Sequence, residues 1–284
     1  MTDLHGKTVV ITGASDGIGK ETAARIAETG ATLILVCRNL DKGRTVAEFM
    51  RREANNEAIS VLQADLSSFN EVRRVARKIR ERCDRLDVLV NNAGAIFMQR
   101  RESTDGIEMT WALNHLSYFL FTQELLDLLK ASAPARIVNV ASAAHHRGTI
   151  NFDNLEGHSS YSGRKAYAQS KLANILFTSE LARRIAGSGV TANSLHPGFV
   201  RTQIGSNNGP LVRLVIRAMM RTNGIAVGDG GKTSVYLATS REVAGVSGRY
   251  YDRCAPARSS PESLDESIAR RLWQVSGERI GNSA

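Results

Sequence analysis

Short runs of apolar, largely β-branched residues alternate along this chain with longer stretches in which apolar positions recur every three or four residues. The first pattern reads as strand and the second as amphipathic helix. Their spacing predicts strands over 7–12, 32–37, 59–64, 86–91, 136–141 and 190–196. It predicts helices over 18–30, 41–54, 68–83, 105–131 and 163–186. Strand and helix in turn require crossover connections, hence a parallel sheet with helices on both faces. The strand runs lack polar alternation, as strands buried on both faces do. The rhythm breaks after Pro197, where Gly198, Gly205, Gly209, Pro210, Gly224, Gly228, Gly230 and Gly231 fall close together. That stretch reads as a long loop with one short helix over 211–221, the kind of loop that usually carries function. A further helix, a strand over 248–251 and a helix over 263–275 complete the pattern.

The expected architecture is therefore a single doubly wound, Rossmann-type α/β domain over 1–284. Its cofactor half covers about 1–140, its catalytic half about 141–284, and a lid about 199–230. A chain of 284 residues with 42% hydrophobic content suffices for one large core. No apolar run is long enough to span a bilayer. Met1–Lys7 has no basic region leading into an apolar stretch, so no signal peptide is expected and a cytoplasmic location is. Cys37, Cys83 and Cys254 are far apart and odd in number, which excludes a disulfide framework and a zinc knuckle. The formal charge of +9 is spread over helical faces such as Arg73–Lys78 without aromatic interleaving. It reads as attraction for anionic ligands rather than a nucleic-acid footprint.

Candidate chemistry collects where strands end. Thr12-Gly13-Ala14-Ser15-Asp16-Gly17-Ile18-Gly19 follows the first strand and opens the first helix. Glycines there permit a tight turn and let backbone N–H groups approach a pyrophosphate, while the helix N-terminus adds favourable partial positive charge. Arg38 and Asn39 follow the second strand. An acid at that point would hold a ribose 2′-hydroxyl, whereas an Arg accommodates a 2′-phosphate, so NADP(H) is favoured over NAD(H). An exposed Arg at the start of a helix is the other reading of Arg38. Asp65 and Leu66 follow the third strand, and Asn92, Ala93 and Gly94 the fourth. Asp65 suits an adenine amino group, and the small residues suit close backbone approach. Each also reads as a helix cap or turn residue.

Tyr167 and Lys171 lie four apart at the start of a helical pattern, so phenol and ammonium share a face. A nearby ammonium is expected to lower the tyrosine pKa toward neutrality. Ser142 ends the fifth strand, where its hydroxyl can hold a substrate oxygen beside Tyr167. Asn114 falls in mid-helix, a poor place for a short amide, which suggests support for a water chain from Lys171. His145 and His146 lack any standard metal spacing, so no metal is expected. His196 reads as a residue that bonds locally, and no Gly-x-Ser-x-Gly elbow supports a hydrolase.

Taken together, Thr12–Gly19, Asp65-Leu66, Asn91–Gly94, Asn114, Ser142, Tyr167–Lys171 and Pro197-Gly198 make the chain resemble the short-chain dehydrogenase/reductase family over nearly its whole length. Leu35–Asn39, Ser142–His146, Ser170–Asn174 and Ile268–Trp273 are similar to the NADP-type retinol dehydrogenases and their WW-domain-oxidoreductase-like relatives. The resemblance implies a seven-stranded sheet and a tetrad of Asn114, Ser142, Tyr167 and Lys171. It also implies contacts from Lys171 to the nicotinamide ribose, and from Pro197, Gly198, Val200 and Thr202 to the nicotinamide end. The implied activity is hydride exchange between NADP(H) and a small-molecule carbonyl/alcohol pair, with no nucleic-acid partner and possible pairing of copies through the helices bearing Asn114 and Tyr167. Phe97, Met98 and apolar residues of 211–220 are candidates for a lipophilic substrate pocket. A non-catalytic NADP sensor and a nucleotide-sugar epimerase or dehydratase are the alternatives.

Overall fold

The computed structural model describes residues 3–198, 208 and 230–281. Val200, Thr202, the helix over 211–221 and nearly all of the expected lid lie outside them.

The strands follow the predicted runs closely. They are β1 Thr8–Thr12, β2 Thr32–Cys37, β3 Ile59–Gln63, β4 Val88–Asn91, β5 Ala135–Val140, β6 Val190–His196, β7 Tyr250–Asp252 and β8 Ala255–Pro256. They form one sheet in the order 3-2-1-4-5-6-7-8, parallel except for the last pair. Every residue of β1 is buried, as befits a central strand covered on both faces. β3 departs from the expected unbroken burial because it is an edge strand, with Ser60 and Gln63 exposed while Ile59 and Leu62 are buried.

Among the described residues the sheet has eight strands, not the seven implied by the resemblance. The extra strand is the return arm of a hairpin whose two linking residues, Arg253 and Cys254, both have positive φ (49° and 62°). Such left-handed pairs match the twist of a tight hairpin. Neither residue is a Gly or Asn, so composition did not advertise the turn.

The helices are α1 Gly17–Ala27, α2 Leu40–Ala54, α3 Phe69–Arg82, α4 Met109–Trp111, α5 Ser117–Ala131, α6 Gly163–Arg184, α7 Lys232–Thr239 and α8 Glu266–Arg279. The helix expected from 105 starts only at Met109. Asp105 and Gly106 form a turn instead, with Gly106 at φ 71°. The Asp105 carboxylate accepts from the Phe69 N–H, capping α3, whose own Ser68 makes no side-chain cap. Glu108 then caps α4 by accepting from the N–H groups of Thr110 and Trp111. Between α4 and α5 the chain makes a π-helical turn over Ala112–Leu116, with Asn114 at its centre. The two faces of the sheet carry separate cores. One, beneath α3, α5 and α6, includes Phe119, Phe121, Leu172 and Leu176; the other, beneath α1, α2 and α7, includes Ile26, Met50 and Leu237. Among the described residues no helix is long and apolar enough to cross a membrane.

Candidate active site

The strand order reverses between β1 and β4, and ligands of open α/β sheets bind at the carboxyl ends of strands beside such a reversal. A cleft of about 1240 Å³ lies there. Its lining includes Gly13, Ser15, Asp16, Gly17, Ile18 and Gly19 from the first turn, and Arg38 and Asn39 after β2. Asp65, Leu66, Asn92, Ala93 and Gly94 follow along the wall, then Ser142, Tyr167, Lys171, Pro197 and Gly198. Nearly every residue singled out in the sequence thus faces one cavity; Asn114 is set behind it, and Val200 and Thr202 are not among the described residues.

The glycine turn is packed to the limit. Gly13 has φ 66°, and a Cβ there would meet the Ala93 Cα at 2.9 Å. A Cβ on Gly19 would lie 2.4 Å from Asn92 Nδ2 and 2.5 Å from the Gly13 carbonyl. Asn92 closes the turn by donating to the Thr12 carbonyl at 2.8 Å, and the Thr12 hydroxyl accepts from the N–H groups of Asn92 and Ala93. The result is a bare backbone surface at a helix N-terminus, an arrangement that favours anions. Asp16 caps α1 by accepting from the Gly17 N–H, and Lys42 of α2 pairs with its other oxygen at 2.5 Å. Lys42, which sequence reasoning passed over, thereby offsets a carboxylate placed beside an anion-binding turn.

Two predicted cofactor residues also have structural duties. Asn39 Oδ1 accepts from the Lys42 N–H and caps α2. Asp65 Oδ1 accepts from the N–H and hydroxyl of Ser67, fixing the turn before α3. Both still line the cleft.

At the other end, Tyr167 and Lys171 rise from the first turns of α6 toward Ser142, two residues past the end of β5. Lys171 is buried and donates to the Val140 carbonyl at 3.0 Å. Its ammonium lies 5.8 Å from the Tyr167 ring centre and 5.6 Å from that of Tyr118. Burial pushes the Lys171 ammonium down to about 7. Burial also pushes the Tyr167 phenol up to about 12, against the pull of its hydrogen bond with Ser142. The expectation of a tyrosine lowered by its lysine is therefore not met in the protein alone. Desolvation dominates both groups.

Asn114 does not reach the cleft. Its Oδ1 accepts from the Ala95 N–H at 2.9 Å, and its Nδ2 donates to the Ala95 carbonyl and to Ser170 Oγ. It ties the strand-end loop at Gly94–Ala95 to α6 one residue before Lys171. A Cβ on Gly94 would stand 3.1 Å from Asn114 Oδ1 and 3.4 Å from Lys171 Nζ, so the two side chains approach the same glycine.

Sequence reasoning missed the anchors of Ser142. Ser260 donates its N–H to His145 Nε2, so the neutral ring carries its proton on Nδ1 and donates to the Ser142 carbonyl at 2.7 Å. Burial lowers His145 to about 4, which keeps it neutral in that role. His196 Nδ1 accepts from the Ala143 N–H, the local bond expected of it. Phe97, a candidate for a lipophilic pocket, is buried and is not among the described residues lining the cleft, whose apolar wall includes Ile96 and Leu113. No local pattern marks His145, because its partner Ser260 is distant in sequence.

Comparison with known proteins agrees with this geometry. The sequence pattern of the short chain dehydrogenase family matches residues 7–210, and the chain belongs to that family. It is a dehydrogenase/reductase of the retinol dehydrogenase branch. Human retinol dehydrogenase 13 is 42% identical over 99% of this chain and 86% of its own length. Human retinol dehydrogenase 14 is 43% identical over 98% of the chain and 87% of its own length. Among solved structures, a Mycobacterium paratuberculosis protein superposes with TM-score 0.81 at 32% identity, covering 99% of this chain and 95% of that one. The Pseudomonas aeruginosa RhlG/NADP active-site complex superposes with TM-score 0.70 at 26% identity, covering 92% and 98%.

Proposed function

We propose that this chain is an NADP(H)-dependent oxidoreductase that interconverts a lipophilic aldehyde or ketone and its alcohol, with Tyr167 as the proton-transferring group. The observation that carries the reading is the single cleft joining the bare glycine turn and Arg38 to Ser142, Tyr167 and Lys171. The backbone cradle at Gly13–Gly19 would hold the pyrophosphate, and Arg38 the 2′-phosphate. When bound, the nicotinamide supplies or accepts the hydride.

The protein's own groups handle the oxygen. Ser142 orients the substrate oxygen by hydrogen bonding, its backbone fixed by His145 and His196. Tyr167 gives its phenolic proton to that oxygen in reduction and takes it back in oxidation. A phenol held near 12 is in its donating form at neutral pH, which suits reduction. Lys171, held near 7, gains and loses a proton easily and is placed to reload Tyr167. Asn114 acts at one remove, by positioning the Gly94–Ala95 loop and Ser170. Ile96 and Leu113 give the cleft apolar surface, and the relatives named for retinol favour a lipophilic substrate. A cytoplasmic location and a homo-oligomeric state belong to the same proposal and are checked by cell fractionation and light scattering.

The test is NADPH absorbance during turnover of a panel of aldehydes and ketones, by the wild type and Arg38→Asp. The expected result is NADPH consumption by the wild type, and a rise of about tenfold or more in the variant's KM for NADPH with little change for NADH. Equal effects on both cofactors would remove the NADP assignment. Turnover without net NADPH change would favour an epimerase or dehydratase, and no turnover a sensor.

A further inference from the structure

The cleft's two ends differ in charge. Its acidic lining residues, among those described, are Asp16 and Asp65, both at the glycine-turn end, where Lys42 pairs with the first and Ser67 bonds the second. The Ser142–Tyr167 end carries no acid among its described lining residues. It carries Arg147, Arg164 and Lys165, all exposed, together with His146.

Folding does not require cations there. Arg164 and Lys165 occupy the first turn of the 22-residue α6; that turn holds no acidic residue, and Ser162 at its N-cap makes no side-chain cap. A helix N-terminus disfavours positive charge. The far end of the same helix follows the ordinary rule: Arg183 and Arg184 both bind Glu180 at 2.7 Å, where the dipole also favours them. Arg25, Arg74 and Arg270 likewise have acids one helical turn away. Arg147, Arg164 and Lys165 have no ion pair with any described residue.

Nor does the cofactor account for them. Arg38 follows β2, and Ser142 follows β5, three strands away in the sheet. At the usual strand spacing that is about 14 Å. The 2′-phosphate site therefore lies at the other end of the cleft, and the glycine turn after β1 is two strands, or about 10 Å, from Ser142.

We propose that these cations read an anionic group on the substrate: the chain acts on an amphiphilic aldehyde or ketone that carries a carboxylate or phosphate away from its carbonyl. The proposal rests on the oxidoreductase reading above and narrows its substrate class. The apolar wall at Ile96 and Leu113 takes the body of the substrate, Ser142 and Tyr167 its carbonyl oxygen, and Arg147, Arg164 and Lys165 its charged end. The reaction itself is unchanged. Hydride goes to the carbonyl carbon and a proton to its oxygen, and the anionic group takes no part in bond making.

The experiment compares nonanal, azelaic semialdehyde (the same carbon chain ending in a carboxylate) and the corresponding ω-phosphate aldehyde, with NADPH in excess. The wild type is expected to show kcat/KM about tenfold or more higher for the charged aldehydes than for nonanal at low salt. The better of the two anions identifies the headgroup. The preference should collapse between about 0.02 M and about 0.5 M salt, and should be lost or inverted in R147E/R164E. The salt series uses the wild type alone, so it decides the matter even if the double variant misfolds. Equal kcat/KM for all three aldehydes, independent of salt, overturns the proposal. So does acceleration of nonanal turnover by phosphatidylglycerol vesicles but not by phosphatidylcholine vesicles, with no preference among the soluble aldehydes, because the cations would then serve a lipid surface. Failure to turn over any of the three, with a broader aldehyde panel equally inert, overturns the oxidoreductase reading itself and is thereby distinguished from loss of the anion preference.

Discussion

The two ends of the sheet treat buried ionisable groups in opposite ways. At the amino end, Asp87 stands just before β4 and is almost wholly buried. It accepts from the Thr8 N–H at 2.9 Å and pairs with Lys7 at 3.0 Å and Arg85 at 2.5 Å. Burial works to raise its pKa, but Arg85, the Thr8 N–H and Lys7 outweigh it and hold the carboxyl below the usual range. At the carboxyl end, Lys171 and Tyr167 are shifted chiefly by burial, and each in the direction that disfavours charge. The amino end is arranged so that its charge stabilises the fold. The carboxyl end holds ionisable groups where the fold alone gains little from them, which is the usual mark of a site selected for chemistry.

The sharpest way to break this contrast is Tyr167→Phe. The ring and its packing remain and only the transferable proton goes. We expect kcat to fall by about 10²–10⁴-fold with thermal stability little changed. Steady-state kinetics beside a melting curve checks both, and near-wild-type turnover would take Tyr167 out of the mechanism.

Lys171→Met comes next, because it separates the two properties. Turnover should fall by about a hundredfold or more, while stability of the cofactor-free protein at neutral pH rises by about 1–2 kcal/mol, since a well-packed apolar chain replaces a buried amine. The pH dependence carries the same signature. Folded Lys171 has its pKa near 7 and the unfolded chain near ~10.4, so between those values the unfolded state holds more protons and wild-type stability rises with pH. The Met variant should lose that rise. Denaturant titrations at several pH values decide it, and a variant that is less stable with an unchanged pH slope would mean that Lys171 stays charged in the fold.

Much of this site could be read before any coordinates. The runs at Thr8–Thr12 and Thr32–Cys37 are too apolar for anything but buried strands, and the fourfold spacing of Tyr167 and Lys171 places them on one helical face. Strand-end positions then bring Arg38, Asp65, Asn92 and Ser142 to one edge, because a parallel sheet aligns its carboxyl ends. What could not be read depended on distant contacts or on weakly signalled backbone. The π-turn at Asn114 showed only as an amide oddly placed in a helix. Asp65 was legible both as a cleft residue and as a turn residue, whereas Asn39 was legible as a cleft residue but not as the cap of α2, its oxygen already occupied by the Lys42 N–H. The His145 link to Ser260 joins parts of the chain that no local window contains. The Tyr167 pKa was misjudged because spacing shows a nearby ammonium and does not show desolvation.

Gly19→Ala tests the carboxyl end through shape rather than charge. The added methyl would enter a space bounded by Asn92 Nδ2 and the Gly13 carbonyl, neither of which is a flexible chain end. Overpacking of this kind costs about 1–3 kcal/mol. Because the displaced backbone is the proposed pyrophosphate cradle, NADPH affinity should drop along with the melting temperature. Calorimetric titration with NADPH reads the first and a melting curve the second. Unchanged affinity would place the phosphates elsewhere.

The smallest effect is expected from the amino end, and it should be of the opposite kind. Asp87→Asn keeps an acceptor for the Thr8 N–H but removes the charge that Lys7 and Arg85 share. Both cations are partly exposed, so solvent recovers much of what they lose, and the expected cost is about 1–2 kcal/mol at neutral pH. Turnover should not change, since no contact of Asp87 leads to the cleft. The folded carboxyl titrates below the unfolded value near ~3.9, so its stabilisation is present above that pH and is lost as pH falls through the folded pKa. Wild type and Asp87→Asn should therefore differ in stability at neutral pH and converge in acid. A constant gap down to low pH would mean that packing, not charge, makes Asp87 valuable, and the contrast between the two ends of the sheet would lose its electrostatic basis.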